Sequence, residues 1–582
     1  MSPWRHDEIY QPLQSGWIRL AVLHPGSPGD SITVTLKPAQ LSPQPSQYYE
    51  ALSYVWGMVT ETEKVIVNGF RISVTPNLLL ALQRLRFTDR ARTLWVDAVC
   101  INQDDVAEKS HQVEQMATVY KLADKVLIHL GPLKNSKDEN AMDIIAAVDQ
   151  PLTAEIACQV SDSIFKSPWF DRVWVVQEAA LAKVAIVILG DKAVRWDCFT
   201  AWPMRVAPYR IDRIVPGILA LPPRFQPVEG SLLQRLHETR PLKATDRRDK
   251  VFGLLGLIPD REPWIRLVDY GVRAETIFTS VAKCFVDHER SLRFLSAVHP
   301  IVGSSASRHT YSPLDQLRSP SWVPDWSVNP EITPIGIGRD SQEPYNAGGY
   351  PAVARATEDR LIAKGVLLDT VGWMGSSYGT VASDSGTRPH LRAHLCQPWL
   401  RLLSTVDEPG SRESDELRKV ADWAMFFKAP TDSEPSTCCT DASVSFRAVT
   451  TAAPPTTLQR EEIGCRRWKS KTGITALAEL GKPLDRVCFG RRIFETESGL
   501  VGLGPDGMQP GDRIVVLLGG PTPYVIRRIK EDDRTHSFIG ECYVLGAMGG
   551  EGLKHLHDEL RVLGHYLGPC GAPICNAKLQ DF

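Results

Sequence analysis

The sequence lacks the features that mark several large classes of protein. No apolar run approaches the roughly 20 residues that a membrane helix needs, and the N-terminal MSPWRHDEIYQPL is polar, unlike a signal peptide. Basic and acidic residues nearly balance, 66 against 68, which gives a formal net charge of −2 and no overall attraction to nucleic acid or to an anionic membrane. We therefore predict a protein with no nucleic-acid partner and no membrane partner.

Cysteine and nucleotide-loop motifs are also scarce. Twelve cysteines in 582 residues are too dilute for a disulfide framework, so we expect a reduced, cytoplasmic environment. No G-x-x-x-x-G-K-[ST] loop occurs. Gly502–Gly507 fits G-x-G-x-x-G by letter but leads into a turn and a strand rather than a helix, so we interpret Gly502–Gly507 as a turn. Cys570 and Cys575 near His565 form one loosely spaced pair, too weak a pattern for a metal site. We predict neither a P-loop, nor a dinucleotide fingerprint, nor a metal site.

What the sequence does have is a dense α/β pattern that begins near Tyr48. The run YEALSYVWG (49–57) is typical of a buried strand that a glycine ends. In KVIVNGFRISV, Asn68-Gly69 separates two alternating apolar runs, which is the strongest short signal for a β-hairpin. Thr75-Pro76 then predicts a helix, with Thr75 as its cap and Pro76 at its first position. The apolar residues expected on the buried face of this helix are Leu78, Leu82 and Leu85.

The run TLWVDAVCINQ (93–103) is the centre of the pattern. It predicts a strand buried on both faces, with Trp95 almost fully buried and with Asp97 and Asn102 as polar interruptions. Asp105 and Glu108 follow in capping-box spacing and open a helix, after which VLIHLG (126–131) is another buried strand. Strands that alternate with helices predict an α/β fold with a doubly wound parallel sheet.

These same stretches resemble the successive blocks of the fungal heterokaryon incompatibility (HET) domain: LSYVWG, LWVDAVCINQDD, QVEQMATVYKLADKVLIHLG and RVWVVQEAALAK. The resemblance implies a domain distantly similar to the TIR signalling fold, a flavodoxin-like parallel sheet. It also implies a cytosolic non-self recognition factor that triggers growth arrest or programmed cell death after hyphal fusion. The implied partner is a protein of incompatible type or a second copy of the chain.

Changes in composition along the chain predict further units. A mostly helical middle domain is expected, since stretches such as AETIFTSVAKCFVDHER carry a helical apolar stripe. The end of the chain alternates short apolar strands with Gly, Pro and Asp turns, which predicts a small antiparallel β-barrel or sandwich. The predicted boundaries are 1–205 for the HET domain with a family core of about 48–190, 206–330 for the middle domain, 331–485 for a mixed region with disordered linkers at 375–389 and 430–457, 486–550 for the β domain and 551–582 for a tail.

Glu178 is the candidate catalytic residue. It lies in the apolar run VWVVQEAALAKVAIVIL, so it is either on the helix's polar face, paired with Arg172 or Lys183, or partly buried with a raised pKa. In TIR enzymes that cleave NAD, a glutamate a few residues after a tryptophan is the catalytic carboxylate, and the spacing from Trp174 to Glu178 is similar. The resemblance therefore implies NAD as a possible substrate, with Glu178 stabilising oxocarbenium-like charge.

Five further residues are candidates for binding around Glu178: Gly57, Asp97, Asn102, Arg172 and Trp174. Ligands of doubly wound sheets bind beyond the carboxyl ends of the strands, where Gly57 and Asn102 are expected. A carboxylate in a buried strand needs a partner, and Arg172 is the simplest one for Asp97. Each of these residues also has a structural interpretation, such as Asn102 capping the next helix. A non-catalytic interaction module and an accessory protein thus remain alternatives to an NAD-cleaving hydrolase.

Overall fold

A computed structural model of the chain describes residues 6–43, 48–57, 60, 62–209, 218, 231–259, 262–299, 319–330, 332–337, 345–349, 351–375, 490–529, 535–544, 546–553 and 580–581. It divides into two compact units, one made of residues 1–281 with 326–329 and the other of 282–325 with 330–582. The predicted linker at 375–389 lies outside the described residues except for Gly375, and the predicted linker at 430–457 lies wholly outside them, as do His565, Cys570 and Cys575 of the tail. Within those residues, no helix is long and apolar enough to cross a membrane.

The first unit is built on one mixed sheet. Its strands are β1 Trp17–Leu23, β2 Thr33–Gln40, β3 Glu50–Tyr54, β4 Glu63–Val67, β5 Phe70–Val74, β6 Arg92–Trp95, β7 Lys125–His129, β8 Ala185–Leu189 and β9 Lys192–Arg195. They lie side by side in the order β5-β4-β2-β1-β6-β3-β7-β8-β9. The helices of this unit and of the chain that follows are α1 His6–Ile9, α2 Pro76–Leu85, α3 Asp97–Cys100, α4 Val106–Leu122, α5 Ser136–Ala146, α6 Ala154–Val160, α7 Trp174–Ala180, α8 Trp196–Thr200, α9 Trp202–Val206, α10 Leu232–Glu238, α11 Asp249–Phe252 and α12 Ala274–Asp287.

The α/β class is confirmed, but the sheet is not parallel throughout. The four central strands β6, β3, β7 and β8 pair in parallel, as the alternation of strands and helices predicts. On one flank β1 pairs antiparallel with both β2 and β6, and on the other β9 pairs antiparallel with β8. The pairing of β1 with β6 spans a long stretch of chain and is not encoded by local periodicity, so the antiparallel place of β1 in the sheet was not predicted.

The hairpin predicted at Asn68-Gly69 is present. β4 and β5 pair antiparallel across these two residues, and both have positive φ, 50° and 87°, as a type I′ turn requires. The helix α2 begins at Pro76 as expected, and Leu78, Leu82 and Leu85 are buried. The predicted cap is only positional, because the Thr75 side chain makes no capping hydrogen bond.

The central strand is shorter than predicted. β6 ends at Trp95, and Asp97–Cys100 forms one turn of helix, α3, instead of continuing the strand to Ile101. An apolar run cannot by itself distinguish a buried strand from a buried helical turn, which explains the error. Trp95 is 0% exposed, as predicted, and packs edge to face against Tyr120 with ring centroids 5.5 Å apart.

Two helix starts differ in detail from their predictions. The Asp105 carboxylate caps α4 by accepting from the backbone N–H groups of Ala107 and Glu108. Glu108 does not close the capping box, because its carboxylate accepts from the backbone N of Asn102 and pairs with the buried Arg19. The helix predicted to run on from Ser167 is broken instead. A 3-10 turn, Pro168–Asp171, precedes α7.

The second unit contains an antiparallel sheet, as predicted. Its strands are β10 Ala354–Ala356, β11 Leu361–Met374, β12 Arg491–Thr496, β13 Val501–Pro505, β14 Arg513–Leu517, β15 Pro523–Arg528, β16 His536–Glu541, β17 Tyr543–Val544 and β18 Gln580–Asp581. Seven of them follow the order β16-β15-β14-β11-β12-β13-β17, an open path rather than a closed barrel in the described residues, while β10 and β18 pair with β11. A buried cluster that includes Phe494, Ile514 and Val525 forms its core. Gly502 and Gly504 lie on β13 and not in the predicted turn.

Candidate functional site

Glu178 lies in a buried polar chain at the centre of the first sheet. It sits on α7, is 2% exposed, and accepts a hydrogen bond from the hydroxyl of Ser53 on β3. The Ser53 oxygen in turn accepts from the indole Nε1 of Trp169 at 2.8 Å. Three side chains from a strand, a 3-10 turn and a helix are thus joined by side-chain hydrogen bonds in an otherwise apolar interior. Such networks fix side-chain positions because an unpaired member would be costly.

The pKa of Glu178 is raised to about 7, and burial is the largest cause. The Arg172 guanidinium and the Ser53 hydrogen bond lower this pKa, whereas the negative charge of Asp97 raises it. The carboxyl group therefore changes its protonation near neutral pH. A carboxyl group with such a pKa is suited to proton transfer, provided that a substrate reaches it.

Arg172 and Asp97 flank the same central strand. Arg172 follows the 3-10 turn, and its Nη1 donates to the backbone carbonyl of Tyr54 at the end of β3. Asp97 is the first residue of α3, and its carboxylate accepts from Trp56 Nε1 at 2.8 Å and from the backbone N of Ala98 at 2.7 Å. Burial raises the pKa of Asp97, and the charge of Arg172 lowers it. Asp97, Arg172 and Glu178 thus form one electrostatic group around Tyr54, whose own pKa responds to all three.

The other predicted binding residues contact residues outside this group. Asn102 follows α3, and its side-chain oxygen accepts from the backbone N of Asp104 at 3.3 Å. Gly57 has φ +79°, and an added Cβ would meet the amide nitrogen of Asn77 at 2.9 Å, so its position requires glycine for structural reasons. Trp174 is the first residue of α7, and its side chain hydrogen-bonds to Asp249. Trp174 therefore contacts a segment well beyond the predicted HET domain.

An open cleft of about 470 Å³ lies beside the Asp97 side of this group. The residues that line it come from α1 and the segment after it, the end of β3, the β4–β5 hairpin, the start of α2 and the loop after α3: Ile9, Tyr10, Tyr54, Trp56, Thr62, Lys64, Arg71, Ile72, Ser73, Val74, Thr75, Leu78, Ala98, Asn102, Gln103 and Asp104. Asn102 is among them, and so is Trp56, whose indole donates to Asp97. Glu178 and Arg172 are not.

Residues 239–259 and 262–275, which we call the strap, pack against α4 and α7. The backbone N of Gly256 donates to the side-chain oxygen of Gln177 at 3.0 Å, and the backbone N of Val173 donates to the carbonyl of Lys243 at 2.9 Å. An added Cβ on Gly256 would lie 2.3 Å from atoms of both Ala117 and Gln177. The strap therefore holds Gln177, the residue next to Glu178 on α7.

A second perturbed acid lies where the strap meets α7. The Asp249 carboxylate accepts from the Tyr270 hydroxyl at 2.5 Å and from Trp174, and the Lys109 ammonium lies 4.4 Å from the centre of the Tyr270 ring. Burial is the main cause that raises the pKa of Asp249 to about 6, while the hydrogen bonds from Tyr270 and Trp174 lower it. Asp249 lies in KATDRRDKVFGLLGLIPD, where nothing in the local pattern distinguishes it from the charged residues beside it.

Two side chains of the polar chain were missed by sequence reasoning. Ser53 is the polar residue within the apolar run of β3, and this interruption was a usable signal. Trp169 resembles any core tryptophan in sequence, and only its contact with Ser53 reveals its role. No group of three or more His, Cys, Asp or Glu side chains within the described ranges is arranged to hold a metal ion.

Comparison with known proteins places this architecture in a class. The family described as Heterokaryon incompatibility protein (HET) matches residues 49–178, and the Het-6 beta-barrel domain matches residues 480–559. One region of the chain thus matches the HET family and a later region matches the Het-6 barrel domain, which confirms the resemblance seen in the sequence. No solved structure matches the chain.

A relative with a curated name aligns along nearly the whole chain. Heterokaryon incompatibility protein 6, OR allele, from Neurospora crassa is 25% identical, over 94% of this chain and 96% of the relative. The similarity therefore extends through the segments between and around the two matched domains.

Proposed function

We propose that the chain is a fungal heterokaryon incompatibility factor, a cytoplasmic protein that detects a genetically different partner after hyphal fusion and triggers growth arrest or cell death. The observation that carries this proposal is the alignment of 94% of the chain with a protein named for heterokaryon incompatibility. The regions that match the HET and Het-6 barrel families follow one another in the chain without overlap. The partner is a protein of incompatible type or a second copy of the chain.

The test is inducible expression in a panel of filamentous fungal strains that differ in their incompatibility genes. The proposal predicts arrest or death in some strains and normal growth in others at equal protein levels. Two tryptophan variants distinguish an effect of the folded protein from an effect of expression alone. Trp95 is 0% exposed, whereas Trp373 is 52% exposed. Trp95→Ala should abolish the effect and Trp373→Ala should keep it. Uniform growth across the whole panel would refute the proposal.

A second candidate is cleavage of NAD with Glu178 as the catalytic carboxylate. It is supported by the Glu178 pKa of about 7 and by the charges of Arg172 and Asp97 near the end of β3. The 2% exposure of Glu178 sets a condition, since α7 must move relative to β3 before a substrate can reach the carboxylate. In this candidate Glu178 stabilises the positive charge that develops as the nicotinamide bond breaks.

Nicotinamide release from NAD by the purified full chain tests this second candidate. Glu178→Gln should stop the release because the amide keeps the shape of the side chain and removes its charge. Glu114→Gln on α4 is the matched control, because Glu114 is a partly exposed carboxylate on the surface of a helix. No release by the wild-type chain, with strain-dependent arrest intact, would refute cleavage and leave the incompatibility factor as an interaction module.

A further inference from the structure

We propose that the cleft between the β4–β5 hairpin and the loop after α3 is a binding site for a nucleotide, a ligand with a planar base and at least one phosphate. The proposal goes beyond the function proposed above, since binding requires neither incompatibility nor cleavage of the ligand. The volume of the cleft, about 470 Å³, is within the range of small-molecule sites. It also opens at the carboxyl end of β3, the end at which parallel α/β sheets bind their ligands.

Two cations on one wall point to the phosphate. Lys64 on β4 and Arg71 on β5 both line the cleft, and the hairpin register pairs Lys64 with Ser73 and Ile66 with Arg71. Side chains in this diagonal relationship share one face of the hairpin at roughly 7–8 Å, close enough for one phosphate group to reach both. The Lys64 ammonium donates to the Ser73 hydroxyl at 2.5 Å, which holds it on this face.

Arg71 is exposed and lines the cleft, so its guanidinium is available to bind an anion there. No hydrogen bond or ion pair engages its guanidinium in the part of the chain that the structure describes, and its side chain is exposed. A guanidinium binds phosphate through two parallel N–H donors. Asp104 is the carboxylate among the lining residues, so the two cations leave the lining with a net positive charge.

The aromatic residues of the cleft suit a planar base. Tyr10 and Trp56 line it, and the Trp56 indole is fixed by its hydrogen bond to Asp97 at 2.8 Å. A ring that is already held in place loses little freedom when a base stacks on it. The site is thus cationic on the hairpin side and aromatic near the end of β3, as a nucleotide requires.

Polar groups of the opposite wall complete the site. The Gln103 amide nitrogen donates to the backbone carbonyl of Asp97 at 3.0 Å, which fixes the position of the amide. Asn102 and Asp104 line the same wall. Amide groups can hydrogen-bond to the edge of a base, and a carboxylate can accept from ribose hydroxyls.

The experiment is isothermal titration of the purified full chain with four probes: ADP, NAD, adenosine and pyrophosphate. ADP or NAD should bind at least about tenfold more tightly than adenosine or pyrophosphate, because only a nucleotide uses both walls. Arg71→Ala and Lys64→Ala should each weaken nucleotide binding about tenfold, as expected for loss of one charge-assisted hydrogen bond. Arg90→Ala is the matched control, since Arg90 is an exposed arginine outside the cleft, and it should leave binding unchanged.

Thermal melts of each variant exclude unfolding as the cause of any loss. No binding of ADP or NAD at about 1 mM, the weak end of the usual affinity scale, would overturn the proposal. Nucleotide binding that survives Arg71→Ala unchanged would overturn this location, and pyrophosphate binding as tight as that of ADP would overturn the nucleotide class. Binding of NAD without release of nicotinamide would support the cleft and at the same time refute the cleavage candidate.

Discussion

The Ser53 hydroxyl donates to the Glu178 carboxylate across 125 residues of chain, in the buried centre of the first unit. This contact joins β3, one of the two inner strands of the parallel block, to the short helix α7. Because the same hydroxyl accepts from Trp169, one serine fixes two other side chains. Changes at Ser53 and at Glu178 should therefore have two effects in common, one on the stability of the buried site and one on its protonation.

Replacing Glu178 with Gln should change how stability depends on pH. The folded pKa of about 7 is above the ordinary 4.5, so between these values the folded chain holds a proton that the unfolded chain has released, and stability falls as pH rises. A shift of this size corresponds to about 3 kcal/mol. Urea denaturation from about pH 4 to about pH 8 gives the free energies of unfolding of the wild type and of Glu178→Gln. The difference between the two should change by about that amount across this pH range.

The control for this prediction is Glu114→Gln, because the Glu114 side chain is 35% exposed. Its free energy of unfolding should stay within about 0.5 kcal/mol of the wild type, as is usual for a surface substitution. A difference between wild type and Glu178→Gln that does not vary with pH would contradict the raised pKa of Glu178.

Ser53→Ala should cost about 1–3 kcal/mol, because it removes the acceptor of the buried Trp169 N–H and a donor to Glu178. The Ser53 hydrogen bond lowers the pKa of Glu178, so its loss should raise that pKa further. Urea denaturation at several pH values measures both effects. Ser136→Ala, at an exposed position, should change stability by less than about 0.5 kcal/mol. Equal stability of the two variants would contradict the buried network.

Trp95→Ala should destabilise the first unit by about 3–5 kcal/mol, since it removes a fully buried side chain that packs against Tyr120. Trp373→Ala is the comparison, at 52% exposure. Chemical denaturation followed by far-UV circular dichroism gives the free energies. A loss below about 1 kcal/mol for Trp95→Ala would mean that the site around Trp95 collapses without a cavity.

Gly256→Ala should destabilise the packing of the strap on α7 by about 1–3 kcal/mol. The added methyl group would lie 2.3 Å from Ala117 Cβ and from the Gln177 side-chain oxygen, and the hydrogen bond from Gly256 to Gln177 leaves little room for adjustment. Gly372→Ala is the control, because its added Cβ would have no neighbour closer than 3.5 Å. Amide hydrogen exchange should increase in α7 for the first variant alone. Unchanged exchange in α7 would contradict a supporting role of the strap.

Local signals in the sequence predicted the local parts of the fold. Asn68-Gly69 specifies its turn by itself, since both residues accept positive φ, and the apolar period places Leu78, Leu82 and Leu85 on the buried face of α2. The run from Thr93 to Ile101 is different. Its apolar residues are buried whether it is a strand or a helical turn, so burial alone could not place the end of β6 at Trp95.

The candidate site was predictable only in part. The apolar surroundings of Glu178 indicated either a surface carboxylate or a buried one with a raised pKa, and the fold selects the buried alternative. Its partners Ser53 and Trp169 come from other elements, so no spacing along the chain reveals them. Trp174 lies four residues before Glu178 on the same helix, yet it turns to Asp249 of the strap, a contact that helical periodicity alone does not contain.

Gly256 fits against Ala117 and Gln177 with no space for a single added carbon atom, although these residues are 139 and 79 positions away from it. A substitution at any one of these positions is therefore coupled to the residues at the other two, because residues in direct contact do not contribute independently to stability. A chimera that joined residues 1–238 of this chain to the strap of a relative would pair contact surfaces from two different sequences. Its α7 would lose this support wherever the relative carries a larger residue than Gly256.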